Sequence, residues 1–308
     1  MTRSENIAVI GAGLMGHGIA LTMARAGHSV TITDPIDTAR ETVKDRVAQS
    51  LSAMGCSPAE TARTLPRIFV KSTTAGAVAT ASVVFEAAPE KMALKQSIFA
   101  EIEAHASETC ILASNTSVMP ITEIMTGLRL KSRALGTHWW NPPHMIPLVE
   151  VIKTADTDPS VAQRMFDLLH GASKTPVMVE KDVPGFIGNR LQHALWREAV
   201  SLVENGICDA EAVDTVIKSS FGRRLAVLGP LENADLVGTD LTLDIHENVL
   251  HDIEARQGPS PYLQTLVAEG NLGMKSGQGF RSWSDEEANA VRARVASHLT
   301  KLETILDT

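Results

Sequence analysis

Two kinds of apolar pattern alternate along the first part of the chain. Short runs rich in β-branched and other apolar residues suit buried strands: Ile7 to Ile10, Ser29 to Thr33, Ile68 to Lys71, Val83 to Glu86, Cys110 to Ala113, Ala134 to Thr137, Leu148 to Ile152 and Pro176 to Val179. Between them the apolar positions take helical spacing. From Gly13 to Ala26, Leu14, Met15, Ile19, Leu21 and Met23 suit a helix; Thr38 to Met54 reads as a long helix with a polar face, and Met92 to Ala106 and Pro159 to Leu169 as two more. Strands alternating with helices predict an α/β fold with a doubly wound, mainly parallel sheet.

The rhythm changes after DVPGFIGNR, Asp182 to Arg190. Beyond it Leu191 to Val203, Asp209 to Lys218, Leu236 to Ala255 and Pro261 to Glu269 read as helices, and no run reads as a strand. Two domains are therefore expected, 1–187 and an all-helical 188–308. A length of 308 residues agrees, because one core rarely organises so many.

Composition narrows the partners. With 44% hydrophobic and 21% charged residues the chain is globular rather than disordered. A formal charge of −8 offers no electrostatic footprint for nucleic acid or an anionic membrane, so neither is expected as a partner. Glycines break the N-terminal run IAVIGAGLMGHGIALTMA, and no uninterrupted apolar stretch is long enough to span a bilayer. Cys56, Cys110 and Cys208 lie far apart and form no Cys-x-x-Cys pair, which suits reduced thiols in a cytoplasmic protein.

The sequence GAGLMG directly follows the first strand and opens the first helix. Glycines there allow a tight turn and let backbone approach a pyrophosphate at the positive helix N-terminus, which points to a dinucleotide held at Gly11, Gly13, Leu14, Met15 and Gly16 in a Rossmann-type domain. Asp34 ends the second strand, where an acid can take both ribose hydroxyls of NAD and repel the extra phosphate of NADP. NAD is the expected cofactor.

A dinucleotide site is not yet a reaction. An alcohol dehydrogenation needs a base for the hydroxyl proton while hydride leaves the same carbon, and histidine titrates in the right range. In GTHWWNPPHMIPLVEV, His138 ends a predicted parallel strand, and Glu150 on the next strand could orient the imidazole and stabilise the imidazolium. Taken alone, a histidine such as His138 is more often structural than catalytic.

The same run resembles the His-x-x-Asn-Pro and Leu-Val-Glu-Val signature of the L-3-hydroxyacyl-CoA dehydrogenase family. GAGLMGHGIA resembles its nucleotide loop, EAAPEKMALK its fourth-strand motif, ASNTS its nicotinamide-side loop and DVPGFIGNR its domain junction. GRRLAVLGPLENADLVGTDL and GMKSGQGF are similar to its helical-domain signatures. The resemblance implies that His138 is the base and Glu150 its orienting partner, and that Ser117 and Asn189 hydrogen-bond the substrate oxygen. It places Glu90, Lys95 and Asn115 at the cofactor or its surroundings. It also implies a homodimer through the helical domain, whose apolar residues include Leu236, Val237, Leu241, Leu243, Ile245, Val249 and Leu250.

Departures from the family pattern bear on the substrate. CoA-using members carry a lysine-rich stretch after the second strand; here the segment is QSLSAMGCSPAE, with Ser50 but no lysine. The usual lysine before Leu-Val-Glu is Pro147, as in members that oxidise free hydroxy acids, and the serine usual after Asn-Thr-Ser is Val118. The expectation is an NAD-dependent dehydrogenase of a small CoA-free carboxylate with a carbinol or hydrated aldehyde, such as 5-formyl-3-hydroxy-2-methylpyridine-4-carboxylate. The alternatives are a 3-hydroxyacyl-CoA dehydrogenase and an NAD-binding structural protein without turnover.

Other residues receive lesser roles. His17 is expected to cap or line the nucleotide loop, and His144 lacks a third ligand at suitable spacing, so no metal is expected. Trp139 and Trp140 could each wall a pocket or anchor a core. Lys275 invites comparison with 3-hydroxyisobutyrate-type dehydrogenases, but the mid-chain segment LLHGASKTP lacks their glycine pattern. Arg223, Arg224 and Arg281 could meet a carboxylate or simply be solvated.

Overall fold

In the computed structural model, which describes residues 4–306, strand β1 (Asn6–Ile10) sends alternate side chains into two apolar layers. Ile7 and Val9 join one buried cluster, Ala8 and Ile10 the other, and none is more than 4% exposed. A strand covered on both faces loses the polar alternation of a surface strand, which is why β1 reads as a continuous apolar run.

The later strands are β2 (Ser29–Thr33), β3 (Ile68–Val70), β4 (Val83–Glu86), β5 (Ile111–Ser114), β6 (Ala134–Trp139), β7 (Leu148–Ile152) and β8 (Thr175–Val179). They form one 8-stranded sheet in the order β3-β2-β1-β4-β5-β6-β7-β8. Every neighbouring pair is parallel except β6 and β7, which run antiparallel. The doubly wound, mainly parallel α/β sheet expected from the sequence is present. The order turns back between β1 and β4, the place where such sheets open a crevice for ligands beyond the strand ends.

Helices α1 (Leu14–Arg25), α2 (Asp37–Glu41), α3 (Val43–Ala53), α4 (Pro58–Thr64) and α5 (Thr74–Val78) link the first four strands. Helices α6 (Met92–His105), α7 (Ile121–Ile124) and α8 (Pro159–Gly171) link the rest. The single helix expected over Thr38 to Met54 is two, α2 and α3, which meet at Thr42. Val43, Val47 and Leu51 line the buried face of α3.

The remaining helices are α9 (Gly188–Glu204), α10 (Ala210–Ser219), α11 (Pro230–Val237), α12 (Thr239–Val249), α13 (Pro261–Ala268) and α14 (Asp285–Leu306). The helix expected over Leu236 to Ala255 is not continuous: Gly238, at φ +106°, ends α11 and starts α12 anew. Helix α14 was not foreseen. The Ser284 hydroxyl accepts from the Glu287 N–H at 3.1 Å, and the Glu287 carboxylate accepts from the Ser284 N–H at 2.8 Å, a capping box that starts this helix.

The chain divides into two compact units. One ends at Arg190 and takes in Leu299 onward; the other is Leu191–His298. Against the expected boundary at 187/188, the division falls inside α9, and the end of α14 groups with the first unit. Residues 1–3 and 307–308, the ends of the two expected domains, lie outside the described residues.

Candidate active site

The nucleotide loop is shaped by what its glycines leave out. A Cβ on Gly11, whose φ is +106°, would stand 2.7 Å from the Ala87 carbonyl oxygen, and one on Gly16 would stand 1.8 Å from the Gly11 oxygen. Both glycines let backbone pass backbone. A Cβ on Gly13 would meet nothing within 4 Å, so open space lies beside the start of α1, as a phosphate group needs. Leu14 is exposed and Met15 half-buried at the rim. These residues fit NAD, and the structure adds how the loop is held.

Asp34 is half-buried at the end of β2. Its carboxylate accepts the Ala12 N–H at 2.7 Å and the Ile36 N–H at 2.9 Å, which keeps loop and strand end in register and leaves lone pairs for ribose hydroxyls. Arg46, which sequence reasoning missed, donates to the carbonyls of Ala12 at 2.6 Å and Ala39 at 2.8 Å. His17 bonds the Gly13 carbonyl through Nδ1 at 3.1 Å and the Ser50 hydroxyl through Nε2 at 3.2 Å. A carbonyl only accepts, so Nδ1 carries the proton and the Ser50 hydroxyl donates to Nε2. Burial holds the His17 pKa below its ordinary value.

The antiparallel pairing of β6 with β7 sets His138 directly opposite Glu150, and their side chains meet at 2.7 Å, Nδ1 to Oε2. Both are buried. The other carboxylate oxygen of Glu150 accepts the N–H groups of Ile187 at 2.8 Å and Gly188 at 3.0 Å. Burial pushes the Glu150 carboxyl up, but the bonds from His138, Gly188 and Ile187 outweigh it and hold its pKa below the usual value. An ionised Glu150 keeps the Nδ1 proton of His138 directed at itself, so Nε2 is the nitrogen with a free lone pair. The His138 ring lies 5.2 Å from that of Trp140 and 5.6 Å from that of Phe186. The two tryptophans separate: Trp139 is a core anchor, edge-on to Phe85 at 5.8 Å, while half-buried Trp140 stands beside the histidine.

The loop after β5 is tied on several sides. Asn115 accepts the Trp139 N–H at 3.0 Å, joining it to β6. Glu90 accepts the Thr116 hydroxyl at 2.9 Å and the Ser117 N–H at 2.6 Å, and the Asn189 amide donates to the Ser117 carbonyl at 2.7 Å. Ser117, Asn189, Glu90 and Asn115 are thus brought together. Lys95 is 0% exposed, so it is set among the surroundings of the expected cofactor site. Its ammonium donates to Glu86 at 2.7 Å and to the Ala88 carbonyl at 3.1 Å, and lies 3.6 Å from Glu90. Glu86, also absent from the sequence reading, further accepts the Ser114 hydroxyl at 2.6 Å and the Ala88 N–H at 2.7 Å. An acid closing an apolar strand such as VVFE is the signal that marks it.

The segment between His138 and Glu150 is pinned from below. Buried Lys174 donates to the carbonyls of Pro143 at 2.5 Å and Ile146 at 2.9 Å. His144 packs 5.9 Å from His17, and burial, helped by the charges of His17 and Lys174, pushes its pKa down to about 4. It is neutral near pH 7. Among the described residues no cluster of histidine, cysteine and carboxylate could hold a metal ion, and no helix is long and apolar enough to cross a membrane.

Comparison with known proteins places this geometry. Residues 6–183 match the 3-hydroxyacyl-CoA dehydrogenase NAD binding domain, and residues 185–283 match the C-terminal domain of the same family. The chain is 35% identical over 313 residues, 98% of either chain, to 5-formyl-3-hydroxy-2-methylpyridine 4-carboxylate 5-dehydrogenase of Mesorhizobium japonicum. It is 36% identical to human mitochondrial hydroxyacyl-coenzyme A dehydrogenase, over 90% of each chain. The crystal structure of a 5-formyl-3-hydroxy-2-methylpyridine 4-carboxylic acid 5-dehydrogenase, described as an NAD+ dependent dismutase, superposes with a TM-score of 0.91 at 34% identity over 99% of both chains. That of (S)-3-hydroxybutyryl-CoA dehydrogenase from Ralstonia eutropha superposes with 0.77 at 31% identity, over 92% of this chain and all of the other. The chain belongs to the 3-hydroxyacyl-CoA dehydrogenase family and is an NAD-dependent dehydrogenase.

Proposed function

We propose that this enzyme oxidises a small aromatic aldehyde carboxylate as its hydrate, 5-formyl-3-hydroxy-2-methylpyridine-4-carboxylate being the leading substrate, and does not require CoA. The observation that carries the reading is the difference in fold similarity. Identity does not separate the two kinds of relative, at 35% and 36%, but the TM-score does, at 0.91 against 0.77. A second support is chemical: the segment SLSAMGCSPAE that begins at Ser50 holds no cation for an adenosine phosphate, and the Ser50 hydroxyl is engaged by His17.

Bound NAD supplies the hydride acceptor. His138 takes the hydroxyl proton of the hydrated aldehyde at Nε2 while the carbon-bound hydrogen departs as hydride, and the product is a carboxylic acid. Glu150 stabilises the resulting imidazolium through Nδ1. One N–H of the Asn189 amide is held by the Ser117 carbonyl; the second, with the Ser117 hydroxyl, is free for the substrate oxygen. Glu90 and Asn115 hold the loop that presents Ser117, while Gly11, Gly13, Leu14, Met15, Gly16 and Asp34 take the cofactor.

Steady-state assays test the substrate. The pyridine aldehyde acid with NAD should be turned over with kcat/KM at least about 100-fold above that of acetoacetyl-CoA with NADH, a difference of roughly 3 kcal/mol in transition-state binding. Preference for the CoA ester would overturn the proposal.

Two further assignments belong to the same reading. The first unit carries the cofactor, and the second serves substrate binding and homodimer formation. Support for the dimer comes from α12 and its C-cap: Leu241, Leu243, Ile245 and Val249 on the helix and Leu250 after it are each at least 39% exposed. Leu241, Ile245 and Val249 recur at a spacing of four and form an exposed apolar stripe, the kind of face that packs against another surface. Light scattering should return twice 33.0 kDa, and a monomer mass would reject the dimer. A cytoplasmic location accords with Cys56, Cys110 and Cys208 forming no disulfide.

A further inference from the structure

Lys174 stands just before β8 and takes no part in the proton transfer, yet its ammonium ends inside the connection between the base and its acid. Residues 140–147 form that connection, a strap that leaves β6 and returns on β7. Its three prolines have no N–H to donate, so groups outside the strap help to hold it. Within it the Pro142 carbonyl accepts the Met145 and Ile146 N–H groups, each at 3.0 Å, which makes a tight turn. Lys174, only 6% exposed, then donates to the carbonyls of Pro143 at 2.5 Å and Ile146 at 2.9 Å. The same ammonium lies 5.5 Å from the ring centroid of Trp139, the residue that follows the base. On another side the strap meets α1: a Cβ on Gly18 would stand 2.7 Å from Pro143 Cγ and 3.0 Å from His144 Nδ1. Gly11 and Gly16 let the nucleotide loop close on itself, but Gly18 makes room for the strap.

We propose that Lys174 and Gly18 are positioning residues for the hydride-transfer step: they seat the strap from two sides and thereby fix Trp140 against the His138 imidazole. That ring has two aromatic neighbours. Phe186 is 1% exposed and belongs to the core, whereas half-buried Trp140 is the first residue of the strap. A strap that shifted would carry Trp140 with it and remove one wall of the imidazole. Nδ1 could keep its bond to Glu150 while Nε2 lost its fixed direction, and a misplacement of about 1 Å can cost on the order of 10²-fold in rate. A buried ammonium is a costly partner for two carbonyls, and its contribution here is to hold the strap in one position. The inference rests on His138 as the base and not on the identity of the substrate.

Two variants of the full chain test this. Lys174→Met keeps the length of the side chain and removes the ammonium, and Gly18→Ala adds one methyl group against Pro143. Each is assayed with NAD and the pyridine aldehyde acid, ordinary and deuterated at the formyl carbon, and with acetoacetyl-CoA and NADH, ordinary and deuterated at the transferred hydrogen. With the substrate that the parent protein turns over better, kcat should fall about 5- to 100-fold in both variants, while the dissociation constant of NAD stays within about 3-fold. The deuterium effect on kcat should be as large as in the parent or larger, because the slowed step is hydride transfer. Residues needed for stability alone behave otherwise: the melting temperature drops and the kcat of the folded enzyme does not. A fall in kcat of less than about 5-fold in either variant, a Gly18→Ala loss that appears as weaker NAD binding, a reduced deuterium effect, or a Lys174→Met chain that does not fold would each overturn the proposal. Full activity in His138→Ala would remove the base itself, whereas failure of the strap variants leaves His138 in its role, so the two readings fail separately.

Discussion

Strand β1 and helix α12 carry apolar residues in comparable number and treat them in opposite ways. In β1, Ile7 and Val9 are at most 1% exposed between layers of helices, whereas in α12, Leu241 is 47%, Leu243 59% and Ile245 52% exposed. The contrast extends to the two units. Leu266 and Ala288 are the buried hydrophobic residues of Leu191–His298, while Leu231 is 80% and Leu236 72% exposed. A sheet supplies its own cover because helices return to both faces between strands. Helices without a sheet cover one another only where their apolar stripes face, and the rest need another surface. The first unit is thus self-sufficient in its core, and the second is the one whose stability should depend on association.

Substitutions in each unit test this difference. The largest effect belongs to the buried site of the first unit: His138→Ala should lower kcat by on the order of 10² to 10⁴ while NAD binding stays nearly unchanged. Full activity in this variant would remove His138 from the role given to it. Gly16→Ala comes next. Its Cβ would stand 1.8 Å from the Gly11 carbonyl oxygen, so the nucleotide loop must move, and the KM for NAD should rise about tenfold or more with a smaller change in kcat.

In the second unit the expected effect is on assembly. Leu241→Asp with Ile245→Asp should shift the light-scattering mass toward the monomer and lower the melting temperature, whereas a first-unit surface change such as Val118→Asp should do neither. If the double aspartate variant had the mass and melting temperature of the parent protein, the contrast between the units would not reflect association through α12.

Two pH effects are smaller and concern the first unit alone. The Glu150 pKa is held down in the folded state, so its contribution to stability is present above the ordinary carboxyl value of 4.5 and is lost as pH falls through its lowered one. The melting temperature of Glu150→Gln should therefore approach that of the parent protein only on the acid side. The His144 pKa is also depressed, from 6.5 to about 4, so the folded form resists protonation. Stability on this account is full above about pH 6.5 and declines as pH falls toward 4. His144→Gln should flatten that decline by about 2 to 4 °C; an identical slope in parent and variant would show that His144 does not contribute.

Much of this was legible in the residues. Strand–helix alternation, the GAGLMG turn and the acid at Asp34 follow from local rules of covalent geometry and capping, and each reappears as expected. Helix α14 was legible too, since SDEE at Ser284 to Glu287 is a capping-box sequence, though it was not read as one. The break at Gly238 could have been suspected from a glycine inside a helical pattern. Lys95 could not have been placed by pattern alone. A lysine on a helix reads as solvated or as a ligand, and only the packing of α6 on β4 converts it into the buried partner of Glu86.

The His138–Glu150 pair marks the division between the two sources of information. By itself the sequence determined two strands, a histidine near the end of one, a carboxylate inside the other and a proline-rich connection of fixed length, because side-chain type and local backbone preference are written residue by residue. It could not state that β7 runs antiparallel to β6, which is what sets the two side chains opposite each other and closes the bond at 2.7 Å. Strand direction and register arise from the closing of a whole sheet around its core, a balance of burial summed over many residues distant in sequence. For the same reason the nitrogen of His138 left free for chemistry, the confinement of Lys95 and the exposure of α12 were decided only in the tertiary structure.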